Sequence, residues 1–237
     1  MADQHISSAY DRDLDAITTL IMKMGGLVED AILQAAESLA TRDVELAEKV
    51  RKADKVIDAL EMQISEAAAR TIALRAPVSK DLRSVLTVLR LAAALERIGD
   101  YAKNMAKRTS VLVDMSPIAG AEASLRRMAR EVQGMLKDTL DAYIRGDAQL
   151  AEDVRQHDQD VDQMYNALFR EFLTFMMEDP RNITACMHLH FMAKNIERMG
   201  DHVTSIAEQV IYLVTGGMPD DDRPKNDRTA LDAGQGR

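Results

Sequence analysis

The sequence predicts an all-α chain, built as two tandem antiparallel three-helix bundles with six long helices in all. Three observations carry that expectation. Aromatic residues make up only 4% of the chain, with no Trp, while hydrophobic residues reach 46% and Met alone numbers 15; a core of Leu, Ile, Ala and Met suits helices far better than sandwiches or barrels. Only 5 Pro interrupt 237 residues, and the segments between them carry apolar residues at helical spacing. The chain also repeats itself: Asp43 to Val50 (DVELAEKV) matches Asp147 to Val154 (DAQLAEDV), and Glu96 to Asp100 (ERIGD) matches Glu197 to Asp201 (ERMGD). A period near half the chain length means two copies of one helical unit.

The first helix is expected over 7–40 and ends at Ala40-Thr41-Arg42-Asp43, where Asp43 is placed to cap the next. A second, over 43–74, has the seam Val50, Ala53, Ile57, Leu60, Ile64 and stops before Pro77. The third, over 78–114, has the seam Val85, Val88, Ala92, Leu95, Gly99, Ala102, Ala106. Pro117 opens the fourth, over 117–145, and Arg145-Gly146-Asp147 closes it with a second capping Asp. The fifth, over 147–177, ends in the Met-rich run Phe172 to Met177, read as core. The sixth, over 180–215, carries the stripe Ile206, Val210, Leu213, Val214. Residues 1–115 thus form the first unit and 116–216 the second, followed by a polar tail over 217–237 without periodicity, expected to be disordered.

Several function classes are disfavoured by composition. Lys+Arg 30 against Asp+Glu 39 gives a net charge of −9, a sign that repels polyphosphate backbones, so no nucleic-acid partner is expected. Cys186 stands alone, so neither an intrachain disulfide nor a cysteine-based zinc finger is available, and such usage fits a cytoplasmic protein. The opening MADQHISSAYDRD lacks the basic and apolar regions of a signal peptide. The longest stretch free of Asp, Glu, Lys and Arg, 182–193, falls short of the roughly 20 apolar residues of a membrane span. No direct membrane insertion is expected. Neither a Gly-rich phosphate loop nor a covalent nucleophile constellation is evident, and no His follows a Glu by three residues.

The candidate chemistry lies in carboxylates four residues apart. The pairs are Asp11/Asp15, Asp54/Asp58, Glu96/Asp100, Asp158/Asp162 and Glu197/Asp201. Their number is ordinary for so acidic a chain, but four of them occupy matching positions of the two halves. Like charges at this spacing cost an isolated helix a few tenths of a kcal/mol, so their recurrence asks for a compensating cation or partner. With turns near residues 76–77 and 179–180, the paired carboxylates of each half reach one height, about 31 Å from the turn in the first half. Asp54, Asp58, Glu96 and Asp100 sit on the flanks of their seams; equal flanks of antiparallel neighbours converge or diverge with the hand of the bundle, and both arrangements stay open.

Oxygen ligands without His or Cys suit Mg, Mn, Ca or iron; the alternative is a solvated acidic face. Gly99 and Gly200 lie on the seam between the paired carboxylates, giving room either for a neighbouring helix or for a cation and its waters. Arg97 and Arg198 point away from the seam, toward surface ion pairs or an acidic or phosphate-bearing partner. His188 and His190, two apart, face opposite ways and cannot chelate together, whereas His202 is a possible ligand beside Asp201.

The run Leu95 to Asn104 (LERIGDYAKN), preceded by Ala76 to Arg83 (APVSKDLR) and echoed in Ile196 to His202 (IERMGDH), resembles the PhoU phosphate-signalling regulators. The resemblance covers about residues 10 to 215. It implies two tandem three-helix bundles, each with a Glu/Asp-x-x-x-Asp motif able to hold a divalent or trivalent metal ion such as Mg, Mn, Fe or Zn. Carried over, Glu96, Asp100 and Asn104 fill the first motif, and Glu197 and Asp201 the second. Asp54, Asp58, Asp158 and Asp162 correspond to the family's acidic second-helix pattern; their ligand role rests on the height argument. Ser205 stands in place of Asn104, Thr204 of Lys103 and His202 of Tyr101, so the two sites need not bind metal equally. The resemblance further implies a cytoplasmic negative regulator of phosphate import and the starvation response. It would link the transporter's ATP-binding subunit to a sensor histidine kinase, self-associate as a homodimer, and reach the membrane only through partners. A metal-dependent, carboxylate-bridged phosphohydrolase is the competing expectation from the residues themselves.

Overall fold

The computed structural model describes residues 2–219, with side chains from Ala9 onward. Six α-helices follow one another: α1 Ala2–Ala40, α2 Val44–Arg75, α3 Ser79–Leu112, α4 Ala121–Arg145, α5 Ala148–Glu178 and α6 Ile183–Thr215, with a 3-10 turn at Pro180–Asn182 before the last. No strand occurs among the described residues. Most of the expected tail, 220–237, lies outside them.

The boundaries follow from local chemistry. The Asp43 carboxylate accepts the Leu46 N–H at 2.9 Å, and the Asp147 carboxylate accepts those of Gln149 and Leu150, each at 3.0 Å. Both satisfy donors that a helix start otherwise leaves orphaned. Gly146 and Gly216 close α4 and α6 with left-handed backbone. The fourth helix starts four residues later than Pro117 suggests. Buried Ile118 anchors a turn there, and Gly120, at φ 78, forms the cap. Proline likewise starts a 3-10 turn before α6, whose Asp179 cap accepts the Arg181 N–H at 2.9 Å.

Helices α1, α2 and α3 pack together as one antiparallel bundle and α4, α5 and α6 as another; the bundles meet where α1 crosses α4 and α3 crosses α6. One hydrophobic cluster runs through both, including Ile21, Ile57, Leu95, Leu125, Phe172 and Ile196. At the first contact, Gly25 stands so close to Leu140 that a Cβ there would collide with its side chain.

The two halves are related by a two-fold rather than a simple displacement. Tyr101 and His202 are sequence counterparts, and their rings face each other at 5.7 Å. Arg90 donates to the Gln209 side chain at 2.9 Å, and the counterparts of that pair, Phe191 and Arg108, stack at 4.5 Å. On the other side, Glu29 accepts from its own counterpart Gln133 at 2.7 Å. Self-matched contacts arise only where a two-fold axis passes between equivalent elements. That axis runs through the α3–α6 seam and the α1–α4 contact.

Candidate functional site

Both acidic groups lie in the grooves flanking the α3–α6 seam, one between α2 and α3 and the other between α5 and α6. The flanks converge in each half. In the first, the Lys103 ammonium bridges the two helices, 2.5 Å from Asp54 Oδ2 and 3.1 Å from Asp100 Oδ1. In the second, Lys194 pairs with Glu197 at 2.8 Å, and the charges of Asp201 and Asp162 act on that same glutamate.

Asp54 is more deeply set than its flank position suggests. It takes the buried seam position of α2, at 3% exposure, while the neighbouring Ala53 is exposed. Gly99 explains the rotation: a Cβ there would lie 3.1 Å from Ile57 Cδ1 and 3.7 Å from Asp54 Oδ1. Gly200 repeats the device, since its Cβ would stand 3.1 Å from Asp158 Oδ1. Each glycine therefore makes the space into which the partner helix brings a carboxylate. Asp158, Asp162 and Glu197 are buried, whereas Asp58, Glu96, Asp100 and Asp201 are half-buried.

Desolvation governs the titration of these groups. Burial pushes the Asp54, Glu96 and Glu197 carboxyls up. Lysine opposes the shift at Asp54 and Glu197, and the Asp100 charge adds to it at Glu96. Lys103 is held firmly protonated by Asp54. His202 is pushed down by burial and by the Arg97 and Arg198 charges, with Asp201 opposing.

An open groove of about 460 Å³ leads to the first group, lined among others by Asp58, Glu61, Met62, Glu96, Arg97 and His202. Asn104 is exposed and lies outside this lining. Arg97 stands over the motif, 3.7 Å from Glu96 and 3.9 Å from Asp100; Arg198 reaches across the seam to the Tyr101 hydroxyl, which favours its charged form. His188 and His190 diverge as their spacing implies, one to Arg108 at 3.2 Å and the other onto Tyr165 and Phe169. Phe172 is core, but Met177 at the end of the same run is exposed. In α6 the buried stripe runs through Val203, Ile206, Val210 and Ile211, leaving Val214 outside it.

The donor set is all oxygen and suits a hard cation. Two buried oxygens, Asp54 Oδ1 and Glu197 Oε2, have no hydrogen-bond partner, while the other oxygen of each carboxylate pairs with a lysine. Even so, no group of three or more His, Cys, Asp and Glu side chains among the described residues is gathered tightly enough to hold a metal by itself. Any ion held here would rest on one or two carboxylates and keep most of its waters. Lys103 and Lys194 are the main residues that pattern reading passed over. Their signal was present, since each stands three positions from a motif carboxylate, within reach on a helix face.

The PhoU domain profile matches twice, over residues 21–109 and 125–210. The chain belongs to the PhoU family. A Rhizobium meliloti (strain 1021) protein named phosphate-specific transport system accessory protein PhoU homolog is 44% identical over 230 residues, covering 97% of each chain. A Caulobacter vibrioides (strain NA1000 / CB15N) protein of the same name is 44% identical over 94% of this chain and 97% of its own. Among solved structures, PhoU from Pseudomonas aeruginosa superposes with TM-score 0.84 at 38% identity, covering 88% of this chain and 100% of that one. The phosphate transport system regulatory protein PhoU from Streptococcus pneumoniae gives 0.82 at 29% identity, over 89% and 99%. These neighbours share the paired-bundle fold.

Proposed function

We propose that this protein is an accessory regulator of a phosphate import system that restrains uptake and the starvation response when phosphate is plentiful. It acts as a cytoplasmic adaptor between the transporter's ATP-binding subunit and a sensor histidine kinase, and its carboxylate clusters hold metal ions. The observation that carries the regulatory reading is the 44% identity over 97% of both chains with a relative named as a phosphate-specific transport system accessory protein. We read the role as non-catalytic, in keeping with relatives named as accessory and regulatory proteins. No helix among the described residues is long and apolar enough to cross a membrane, so contact with an importer falls to the protein's surface.

Deleting the gene in phosphate-rich medium tests the reading. Importer and alkaline phosphatase expression are expected to rise and to be restored by the intact chain, with the transporter ATPase recovered alongside the tagged protein. Unchanged expression would overturn the regulatory role.

A further inference from the structure

The α3–α6 seam carries a charge opposite to that of the chain. Its solvent side is formed by the seven-residue rows that begin at Arg83 and Thr87 on α3 and by the counterpart rows that begin at Thr184 and His188 on α6. Apart from buried Thr87, every position in these rows is exposed or half-buried. None is Asp or Glu, although the chain holds 39 acids and a net charge of −9; Arg83, Arg90, Arg97, Arg108 and Arg198 stand there instead. Most of them are held by neutral groups, which orient a guanidinium without cancelling its charge. Arg83 donates to the Tyr212 carbonyl at 3.3 Å and lies over that ring, Arg90 donates to the Gln209 side chain, and Arg198 reaches the Tyr101 hydroxyl. Arg108 lies on Phe191 beside His188, and its buried Nε has no acceptor. Among the described residues the only arginine of α3 or α6 in an ion pair is Arg97, with Glu96 and Asp100 at 3.7 and 3.9 Å. Burial aided by the Arg108 charge pushes His188 down, as burial aided by Arg97 and Arg198 does His202, so the positive charge of the seam belongs to its arginines.

We propose that the exposed α3–α6 seam is the docking surface for an acidic amphipathic helix of a partner protein, laid along the seam as a third helix. This rests on the adaptor reading for the existence of a partner and names what that partner presents. Arg83, Arg90 and Arg97 stand about 10.5 Å apart along α3, so a helix lying parallel to the seam answers them with Asp or Glu at its own seven-residue spacing. From Arg83 to Arg108 the seam runs about 37 Å, the length of a helix of about 25 residues. Guanidinium forks pair with carboxylates bidentately, and the rings of Tyr101, Tyr212 and exposed Phe191 give the apolar face of such a helix its seats. A nucleic-acid strand fits less well. It carries a charge about every 3.4 Å, far denser than this row, and the carboxylates on both flanks of the seam, Glu96 and Asp100 on one and Glu197 and Asp201 on the other, repel it. The same flanks confine an acidic helix to the seam.

Fluorescence anisotropy with the full chain tests this. The probe is a labelled synthetic helix of four heptads, each with Leu on one face flanked by Glu. The wild type is expected to bind it saturably. Arg90→Glu with Arg198→Glu, both at exposed positions, should weaken binding at least about tenfold. Lys23→Glu with Lys52→Glu makes the same change in net charge at exposed positions of α1 and α2 and should weaken it less than about twofold. Arg90→Gln with Arg198→Gln, which adds no acid, should lose at least about threefold, with circular dichroism confirming the helices in every variant. A peptide of the same composition with its Glu off the seven-residue period should bind at least about fivefold more weakly. No saturable binding, equal losses from the arginine and lysine reversals, or equal affinity for the off-period peptide would overturn the proposal. So would tighter seam-dependent binding of oligothymidylate or of phosphatidylglycerol vesicles, which would make the seam a surface for another class of polyanion. If the peptide fails while deleting the gene still raises importer expression, the regulatory role stands and this surface has no part in it.

Discussion

Glu197 shows how a single buried acid couples this fold to pH. Burial raises its carboxyl above the ordinary glutamate value of 4.5, with Lys194 only partly opposing. The folded chain therefore keeps a proton that the unfolded chain releases. Stability from this group is full below 4.5 and is lost as pH rises through the elevated folded value. Asp54 and Glu96 shift in the same direction. Glu197→Gln, an isostere of the protonated acid, should accordingly gain stability over the wild type as pH rises from about 4 to about 7, with little difference at the acid end. Denaturant melts of the two proteins along that range measure the gap. A gap that narrows toward neutrality would mean that Lys194 outweighs desolvation, leaving the glutamate better placed charged than neutral.

At the scale of the helices, termini are the easiest places to change stability without touching a groove. Ala76 ends α2 in the left-handed region, at φ 45 and ψ 52, where a Cβ crowds the carbonyl at roughly 1 to 2 kcal/mol. Ala76→Gly is expected to stabilise by about 1 kcal/mol, and Asp147→Ala, which strips two accepted N–H groups from the start of α5, to destabilise by about 1 kcal/mol. Paired melts should show midpoint shifts of opposite sign; a loss at Ala76→Gly would mean that Pro77, and not the missing Cβ, governs that junction. The same termini show what the sequence discloses. Capping Asp and closing Gly chemistry is local, so Asp43, Asp147 and Gly146 were legible, as was the doubled unit. Rotation of a helix about its axis is not local. Ala53 fitted the apolar period of α2 better than Asp54, yet the space above Gly99, a feature of α3, turned the carboxylate inward. Convergence of the flanks depended on the hand of the bundle and was legible only in three dimensions.

The whole molecule poses the question of whether a repeated sequence makes two independently stable bodies. A chain of 237 residues exceeds the length below which single-step unfolding is usual, and the internal repeat would ordinarily argue for two transitions. The packing argues for one. Each bundle leaves two of its three helices against the other half, α1 on α4 and α3 on α6, and the buried apolar cluster is continuous across the axis. A bundle standing alone would expose those faces, and each buried Leu, Ile or Met laid bare costs about 1.5 to 3 kcal/mol, a few of which exceed the net stability of an ordinary domain. Only α2 and α5 lie outside the shared contact, and each is tied to it through helices that belong to it. Hydrogen exchange along a denaturant series, read separately on the buried amides of α2 and α5, should therefore give coincident midpoints. Midpoints that separate would mean that one bundle melts while the other stays folded, so that the α1–α4 and α3–α6 contacts do not couple the two halves.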